Sequence, residues 1–574
     1  MFRNVPRVDC RPAIHQHPRM SNSMFKLETK IFLAVFLIGF LYAGYTQHAW
    51  EDFFIAFRGA ENLANGHGLV YTQGERLQSF SSPIGVLIPA LIIFLTGHGS
   101  VDLVLWIYRL FSLAAFSAGV VLLFQIIRRF QHHIFATVFT IALVALDAKS
   151  VDFATNGMET GLLLFFLALT LHGLFISGQR QVLRIGLGWA GLMWSRPDSC
   201  VYIAALGLGA LMFLPSGASG MSRKEWWKLL LKAGVLCTIL YLPWFLWAWW
   251  YYGSPVPHTI AAKGTNAPPL DALGIVSDLF LFPLFKLTSH SAVWETYMPA
   301  YGGGDWPRLL QAVCLLLAWA AALAWIFPLL RPQTRVLSFG CYIGQVYLTD
   351  VIRNIFPWYL PTVAVMGYLV LGLILDQVLC FAERLPKLNW DRGWFGKLSF
   401  AAKACAVGLL VGQGFVFVNV ARQMWVEQVY IEDGVRREIG LWLREHAKSP
   451  NDTVMVEPLG YIGFYSKLKM LDFPGLVSKE MVETRRKLGP EQEGDAYLEL
   501  KPDWIVLRPS ELQGGGILKL NPKRLNEFYE TATVFDASEK IRSIGWLPGR
   551  GMPTFDQTFI ILHRKATPEP ATQN

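Results

Sequence analysis

The chain has 574 residues, of which 53% are hydrophobic and only 16% are charged, and its mean hydropathy is +0.35. This composition excludes an ordinary soluble protein and predicts a polytopic α-helical membrane protein. The net charge of +9 comes from basic residues spread over short loops, which favours cytoplasmic anchoring and argues against nucleic-acid binding.

The basic loops predict the topology. Basic residues place the tail 1–30 in the cytoplasm, so the first apolar run, 31–45, crosses outward. The run 84–96 contains a proline and is too short to span, so we predict a juxtamembrane helix within the first outer loop, 50–100. Keeping every basic loop inside then predicts about eleven transmembrane helices in 31–421, with the C-terminus outside.

From residue 422 the composition becomes that of a soluble protein. Amphipathic segments alternate with short apolar runs, which predicts an extracytoplasmic α/β domain over 422–562. The sequence GYIGF at 460–464 suggests a glycine-rich turn between two strands. The tail 563–574 is rich in Pro and polar residues and is predicted to be disordered.

The polar interval Trp50 to Pro83 follows the first apolar run directly and opens with two adjacent carboxylates, Glu51 and Asp52. Ionised groups beside a membrane segment are costly to hold and usually mark a functional site. Aromatic and polar residues then alternate with helical periodicity, which predicts an amphipathic helix at the interface.

Further charged residues fall at the same outer level of the predicted topology. They are Arg58, Asp152, Glu159, Arg196, Asp198, His258, Lys263, Asp305 and Arg353. Cations bind a phosphate and stabilise it as it leaves, and a carboxylate removes a proton from an attacking hydroxyl, so this mixture suits an anionic lipid-linked substrate. Purely structural interpretations stay open for three of these sites. Ser195–Asp198 would be a locally paired turn, Lys263 would contact lipid headgroups, and Arg353 would be an interfacial anchor.

The run EDFFIAFRGAENLANGHGLVYTQGERLQSFSSP at 51–83 resembles a signature of the GT-C membrane glycosyltransferases related to mycobacterial terminal arabinofuranosyltransferases. SRPDS, YYGSPVPHTIAAK and GYIGFYSKLKMLDFPGLVSKE resemble later motifs of that family in the same order. The resemblance implies a GT-C-like fold and inverting sugar transfer from a polyprenyl-phosphate donor, without a nucleotide sugar. A pentose such as arabinofuranose is favoured.

The resemblance also implies the site and its location. Glu51 matches the superfamily's catalytic Asp and Asp52 the acid after it, so either is a candidate base. We expect Arg58, Arg196, Lys263 and Arg353 to bind the donor phosphate, and Asp152, Glu159, Asp198, His258 and Tyr359 to contact substrate. No His or Cys spacing indicates a metal, although the paired acids leave a divalent ion, Mg²⁺ or Mn²⁺, open.

The expected acceptor is a hydroxyl of an envelope glycan, a lipopolysaccharide or a protein such as pilin. The expected location is the bacterial inner membrane, with the site on its extracytoplasmic face. Two alternatives remain: a transporter or flippase of lipid-linked sugars, and an O-antigen polymerase or ligase. Only the GT-C mechanism needs a carboxylate base in the first outer loop.

Overall fold

The computed structural model describes residues 22–215, 221–266, 271–285, 293, 295–299, 305–352, 355–384, 392–513, 517–518 and 520–565. The predicted phosphate ligand Arg353 and the tail after residue 565 lie outside these ranges.

Helices form the first three quarters of the chain. The first ten are α1 (Asn22–Thr46), α2 (Glu51–Ala64), α3 (Pro83–Leu95), α4 (Val101–Phe130), α5 (Ile134–Ala145), α6 (Ala148–Thr155), α7 (Thr160–Phe175), α8 (Gln181–Ser195), α9 (Cys200–Phe213) and α10 (Arg223–Tyr252). They are followed by α11 (His258–Lys263), α12 (Ala272–Phe285), α13 (Arg308–Leu323), α14 (Pro332–Val346), α15 (Pro361–Arg384), α16 (Arg392–Val426) and α17 (Glu438–His446).

Among the described residues, five helices are long and apolar enough to cross a membrane: Val101–Phe130, Arg223–Tyr252, Arg308–Ile326, Pro361–Glu383 and Gly396–His446. A sixth span results if α5 and α6, which are bent by 46°, are counted as one. The chain is therefore a multi-pass membrane protein. The figure of eleven crossings stays a prediction.

The polar residues 148–155, which include the candidate Asp152, form the buried helix α6. The carboxylate of Asp147 accepts a hydrogen bond from the Ser150 backbone N–H at 2.9 Å, which caps the N-terminus of α6 and restarts the helix after α5. This short polar helix is buried and packs against α1, α4 and α7.

The last membrane helix runs past the predicted domain boundary. α16 continues through a π-helical segment (Glu427–Arg437) into α17, so the boundary drawn between 421 and 422 falls inside one continuous helix. The helix continues because its apolar residues keep a four-residue spacing on one buried face, namely Ile431, Val435, Ile439 and Leu443.

The C-terminal part contains a five-stranded mixed sheet. Its strands are β1 (Thr453–Val456), β2 (Lys469–Asp472), β3 (Trp504–Leu507), β4 (Tyr529–Asp536) and β5 (Thr558–Arg564), in the order β2-β1-β3-β5-β4. β1 is parallel to β2 and β3, while β5 is antiparallel to β3 and β4. The boundary predicted at 562 falls within β5, because its alternating apolar residues continue the pairing with β4 as far as Arg564.

The short helices around this sheet are α18 (Leu459–Ser466), α19 (Lys479–Leu488), α20 (Ala496–Leu500), α21 (Pro522–Phe528), α22 (Ser538–Ser543) and α23 (Gly551–Phe555). The glycine-rich turn predicted at 460–464 is therefore wrong, since these residues form α18.

α18 packs directly on α2. The ring of Tyr461 lies 4.2 Å from that of Phe54, and the ring of Phe464 lies 5.4 Å from that of Phe57, measured between centroids. The aromatic face of α2 is thus buried against the C-terminal domain. This packing leaves the carboxylates at the start of α2 between the two parts of the protein.

Candidate active site

Hydrogen bonds from neighbouring segments hold the N-terminus of α2 in place. The Trp50 N–H donates to the Asn156 carbonyl at 2.8 Å. The guanidinium of Arg109, buried in α4, donates to the carbonyls of Gln47, His48 and Thr155 at 2.8, 2.6 and 2.7 Å. Arg109 therefore joins the end of α1 to the end of α6 and fixes where α2 begins.

Asp152 belongs to this support and not to an open site. It is fully buried, and its carboxylate accepts from Tyr42 Oη at 3.2 Å and lies 3.0 Å from His48 Nδ1. Asp152 contacts the segment before α2, so its predicted contact with substrate is replaced by a structural one.

The two adjacent carboxylates point to different walls, because successive helical residues are about 100° apart. Glu51 Oε1 accepts from the Gly460 N–H at 2.7 Å, and Glu51 Oε2 lies 3.9 Å from Arg436 Nη1. Asp52 lines a cavity of about 100 Å³ on the other side of α2. Glu51 thus faces the C-terminal domain, and Asp52 faces the space that a substrate would enter.

The cavity combines acids, cations, hydroxyls and aromatic rings. Its charged lining residues are Asp52, Glu159, Arg196 and Lys263. Hydroxyl and aromatic residues complete the polar part of the wall, namely Ser79, Ser81, Ser82, Thr259, Trp358 and Tyr359. The start of α3 and Leu476 of the C-terminal domain also line it. Four of the predicted site acids and cations therefore meet here, together with Tyr359.

Arg196 is held in place by three neighbours. Its Nη1 lies 3.3 Å from Glu159 Oε1 and its Nε 3.1 Å from Asp198 Oδ1, while its Cζ lies 4.3 Å from the centre of the Tyr359 ring. Tyr347 Oη donates to the other Asp198 oxygen at 3.3 Å. This arrangement fixes the guanidinium at the cavity and puts Asp198 behind it.

Lys263 ends α11 and is exposed at the cavity. Its Nζ lies 5.2 Å and 5.8 Å from the centres of the Phe356 and Trp358 rings. Cation–π contacts of this kind orient an ammonium group without neutralising it, so the charge remains available to an anion.

Burial and neighbouring charges shift the pKa values of Asp52 and Glu51. Burial raises the pKa of Asp52, and the charges of Lys263 and Arg196 oppose that rise. Burial also raises the pKa of Glu51, to about 8, against the opposing charge of Arg436, while Glu457 and Asp52 add to the rise. Glu51 is therefore largely protonated at neutral pH.

Arg58 does not reach the cavity. Its guanidinium donates to the carbonyls of Gly463, Lys467 and Leu468, at distances from 2.8 to 3.2 Å, and lies 4.3 Å from the centre of the Tyr71 ring. Since these carbonyls belong to the end of α18 and the turn after it, Arg58 joins α2 to the C-terminal domain. Its predicted role as a phosphate ligand is corrected to this structural one.

We expect Arg58→Met to destabilise the protein by about 1.5–3 kcal/mol, because the carbonyls that end α18 lose a charged donor. The apparent affinity for a polyprenyl-phosphate donor should not change. Thermal unfolding in detergent together with donor titration measures both quantities. A weaker donor affinity at unchanged stability would restore Arg58 to the phosphate site.

His258 begins α11 but does not line the cavity. Its backbone N–H donates to the Gln78 carbonyl at 3.1 Å, and burial lowers the pKa of its ring. Hydrogen bonding to the backbone of Gly475 and Ser478 raises the ring's pKa and so partly opposes the effect of burial. Its neighbour Thr259 lines the cavity instead.

Gly460 sits where no side chain fits. A Cβ atom on this residue would lie 2.0 Å from the Glu51 carbonyl oxygen and 2.7 Å from Glu51 Cγ. Gly460→Ala should therefore displace the start of α2 and destabilise the protein by about 1–3 kcal/mol. Gly545→Ala is the matched control, because nothing lies within 4 Å of its added Cβ. Equal thermal unfolding temperatures for the two variants would contradict this close approach.

In the part of the chain that the structure describes, one group of side chains has the spacing of a metal site: His133, Asp376 and Cys380. Asp376 is already bound there by Arg331 at 2.7 Å and by the backbone N–H groups of His132 and His133 at 2.8 Å. These contacts fit a structural ion pair that ties two loops together. The group lies apart from the cavity at Asp52.

The chain is similar to known proteins in sequence and in fold. A family model described as a domain of unknown function, DUF8728, matches residues 423–556. A terminal β-(1→2)-arabinofuranosyltransferase of Corynebacterium glutamicum is 28% identical over 263 residues, which covers 41% of this chain and 36% of that protein. The match thus spans little more than a third of the relative's length.

Among solved structures, the oligosaccharyltransferase AglB of Archaeoglobus fulgidus, in complex with an inhibitory peptide and a dolichol-phosphate, aligns with a TM-score of 0.52 at 11% identity. The alignment covers 96% of this chain and 76% of AglB. The chain has the same fold as AglB. ArnT of Cupriavidus metallidurans bound to undecaprenyl phosphate aligns with a TM-score of 0.48 at 12% identity, over 95% of this chain and 99% of ArnT.

Within this fold, several residues that contact the site were not predicted from the sequence. Arg109 had a signal, as a single cation inside the apolar run 101–127. Gly460 and Thr259 lie in motifs that were recognised, but their contacts depend on distant segments. Arg436 and Leu476 reach the site only because the C-terminal domain packs against α2.

Proposed function

We propose that the chain is an inverting glycosyltransferase that moves a sugar from a polyprenyl-phosphate donor to an acceptor hydroxyl. One observation carries this proposal: Asp52 shares a cavity with two cations, Arg196 and Lys263. A carboxylate opposite paired cations is the arrangement needed to deprotonate a hydroxyl on one side of a sugar and accept a phosphate on the other.

In this mechanism Asp52 is the base. Its carboxylate takes the proton of the acceptor hydroxyl while the acceptor oxygen attacks the anomeric carbon from the face opposite the phosphate. The bond between that carbon and the phosphate oxygen breaks, and the electron pair leaves with the polyprenyl phosphate. A single displacement of this kind inverts the anomeric configuration.

Arg196 and Lys263 neutralise the phosphate as it gains charge. The Arg196 guanidinium presents a fixed fork, since Glu159, Asp198 and Tyr359 already orient it. Lys263 adds a second positive charge from α11. Both cations also oppose the rise that burial causes in the pKa of Asp52, and so favour the ionised form that accepts a proton.

Glu51 has a different role in the proposal. With a pKa of about 8 and its Oε1 bonded to the Gly460 N–H, it holds α2 against the C-terminal domain and does not take the acceptor proton. Asp52 therefore carries the base function, although Glu51 matches the superfamily's catalytic position.

The lipid would enter along α3. This helix begins at the cavity with Ser82 and Gly85, and Leu91, Phe94 and Leu95 are exposed on its outer face. An apolar outer surface suits contact with lipid tails, and the polar end of the helix suits a headgroup. We place the site and the C-terminal domain on the extracytoplasmic face of a bacterial inner membrane.

The substrates follow from the relatives. The arabinofuranosyltransferase similarity favours a pentose such as arabinofuranose, and the acceptor would be an envelope glycan, a lipopolysaccharide or a protein. A divalent ion would have to share Asp52 and Glu159 with Lys263 and Arg196, so no step is assigned to one.

The test is incubation of the purified protein with a panel of polyprenyl-phosphate sugars, with and without acceptor glycans. We expect release of polyprenyl phosphate with at least one sugar, and faster release when the acceptor is present. Release from none of the donors, or only from diphosphate-linked oligosaccharides, would overturn the proposal in favour of a flippase or a polymerase.

A further inference from the structure

Thr259, a residue of the cavity lining, carries a buried hydroxyl. The residue is only 9% exposed and lines the cavity, and its Oγ1 makes no hydrogen bond within the described part of the chain. A buried hydroxyl without a partner is costly, and most such groups in proteins are hydrogen-bonded. A ligand group at this position would remove that cost.

The backbone fixes this hydroxyl relative to the charged residues. Thr259 and Lys263 are four residues apart in α11, so their side chains lie on one face of the helix. The His258 N–H bonds the Gln78 carbonyl at 3.1 Å, which ties α11 to the segment that carries Ser79 and Ser81. The cavity lining therefore contains a set of hydroxyl-bearing residues as well as the two cations.

This division matches the two polar parts of a lipid-phosphate sugar. The phosphate suits Arg196 and Lys263, whereas a sugar presents neutral hydroxyls that pair with a neutral hydroxyl as donor or acceptor. Ile260 and Leu476 also line the cavity and offer apolar surface to the faces of a sugar ring. An isoprenoid chain has no group that would satisfy Thr259.

We propose that Thr259 binds a hydroxyl of the transferred sugar and so forms part of the donor-sugar subsite. The inference rests on the proposed glycosyltransferase function. Thr259 acts on sugar selection, while Asp52 and the cations carry out the transfer. The side chain that binds the sugar is thereby separate from the side chains that bind the phosphate.

The test compares Thr259→Val, which keeps the shape and removes the hydroxyl, with Thr259→Ser, which keeps the hydroxyl. We expect kcat/KM for the preferred donor to fall about 10- to 100-fold in the Val variant and to stay within about threefold in the Ser variant. Equal kcat/KM for the wild type and the Val variant with every donor would overturn the inference.

Donors that lack single hydroxyls give a second measurement that needs no variant. In the wild type, one deoxy donor should lose about as much kcat/KM as the Val substitution does, and that donor should lose nothing more in the Val variant. If no deoxy donor is impaired in the wild type, Thr259 does not bind the sugar. In that case an active wild type leaves the glycosyltransferase proposal standing, whereas a wild type inactive with all donors overturns both.

Discussion

Replacing Asp52 by Asn should lower sugar transfer by about 10²- to 10⁴-fold, the usual contribution of a general base. The substitution keeps the shape of the side chain in the cavity but removes its ability to take the acceptor proton. Membrane insertion and the thermal unfolding temperature should change little, because Asp52 has no hydrogen bond within the described residues that the substitution would break. The measurement is the rate of polyprenyl-phosphate release at saturating donor and acceptor.

Glu51→Gln is the matched control, since it removes the neighbouring carboxylate. Because the pKa of Glu51 is about 8, its side chain is mostly protonated at pH 7, and Gln resembles that form. Transfer at pH 7 should stay within about tenfold of the wild type, as expected for loss of a group that only positions α2. The reverse result, with Gln at 51 inactive and Asn at 52 active, would make Glu51 the base.

The pH dependence has a defined direction. Burial raises the pKa of Asp52, so the ionised base is lost as pH falls through that raised value. Transfer should therefore fall as the pH falls through that raised pKa, and the Glu51→Gln variant should keep this acid limb. If the Glu51→Gln variant loses the acid limb, the limb reports the ionisation of Glu51 and not that of Asp52.

Arg196→Gln should abolish measurable transfer and destabilise the protein as well. The substitution removes a cation from the leaving phosphate and leaves the carboxylate of Glu159, which is almost fully buried, without its ion-pair partner. Removing one partner of a buried ion pair costs about 3–5 kcal/mol. Donor titration and thermal unfolding in detergent measure the two effects.

Arg196→Lys separates the two contributions. Lysine keeps the positive charge, so stability should be partly restored. It cannot offer the guanidinium fork that contacts Glu159 and Asp198 together, so donor affinity should remain reduced. Wild-type donor affinity in both variants would remove Arg196 from the phosphate site.

The grouping of these site residues was predictable from sequence, but the direction in which each side chain points was not. Basic loops and the amphipathic segment after Trp50 put Asp52, Glu159, Arg196 and Lys263 at one outer level, and the structure groups them around a cavity. The same argument also included Arg58, which lies elsewhere. A helix period tells which residues share a face, but not which neighbour covers that face, so Arg58 could not be distinguished from a ligand of the cavity.

The contacts that could not be predicted from the sequence are made by the C-terminal domain. The glycines of GYIGF suggested a turn, whereas Gly460 and Gly463 allow α18 to approach α2, with added Cβ atoms falling 2.0 Å from the Glu51 carbonyl oxygen and from Tyr71 Oη. These contacts join residues about 400 positions apart in the chain, as in the 409-residue separation between Glu51 and Gly460. The partner of Glu51, the Gly460 N–H, is one of these distant contacts.

The most direct measurement follows an isotopically labelled sugar on a polyprenyl-phosphate donor in proteoliposomes that contain the wild-type protein and an external acceptor glycan. The account predicts that the label appears on the acceptor with inverted anomeric configuration, that one polyprenyl phosphate is released for each sugar transferred, and that the Asp52→Asn variant shows neither. Label that remains on the intact lipid and crosses the membrane, at the same rate in the wild type and in that variant, would contradict the account.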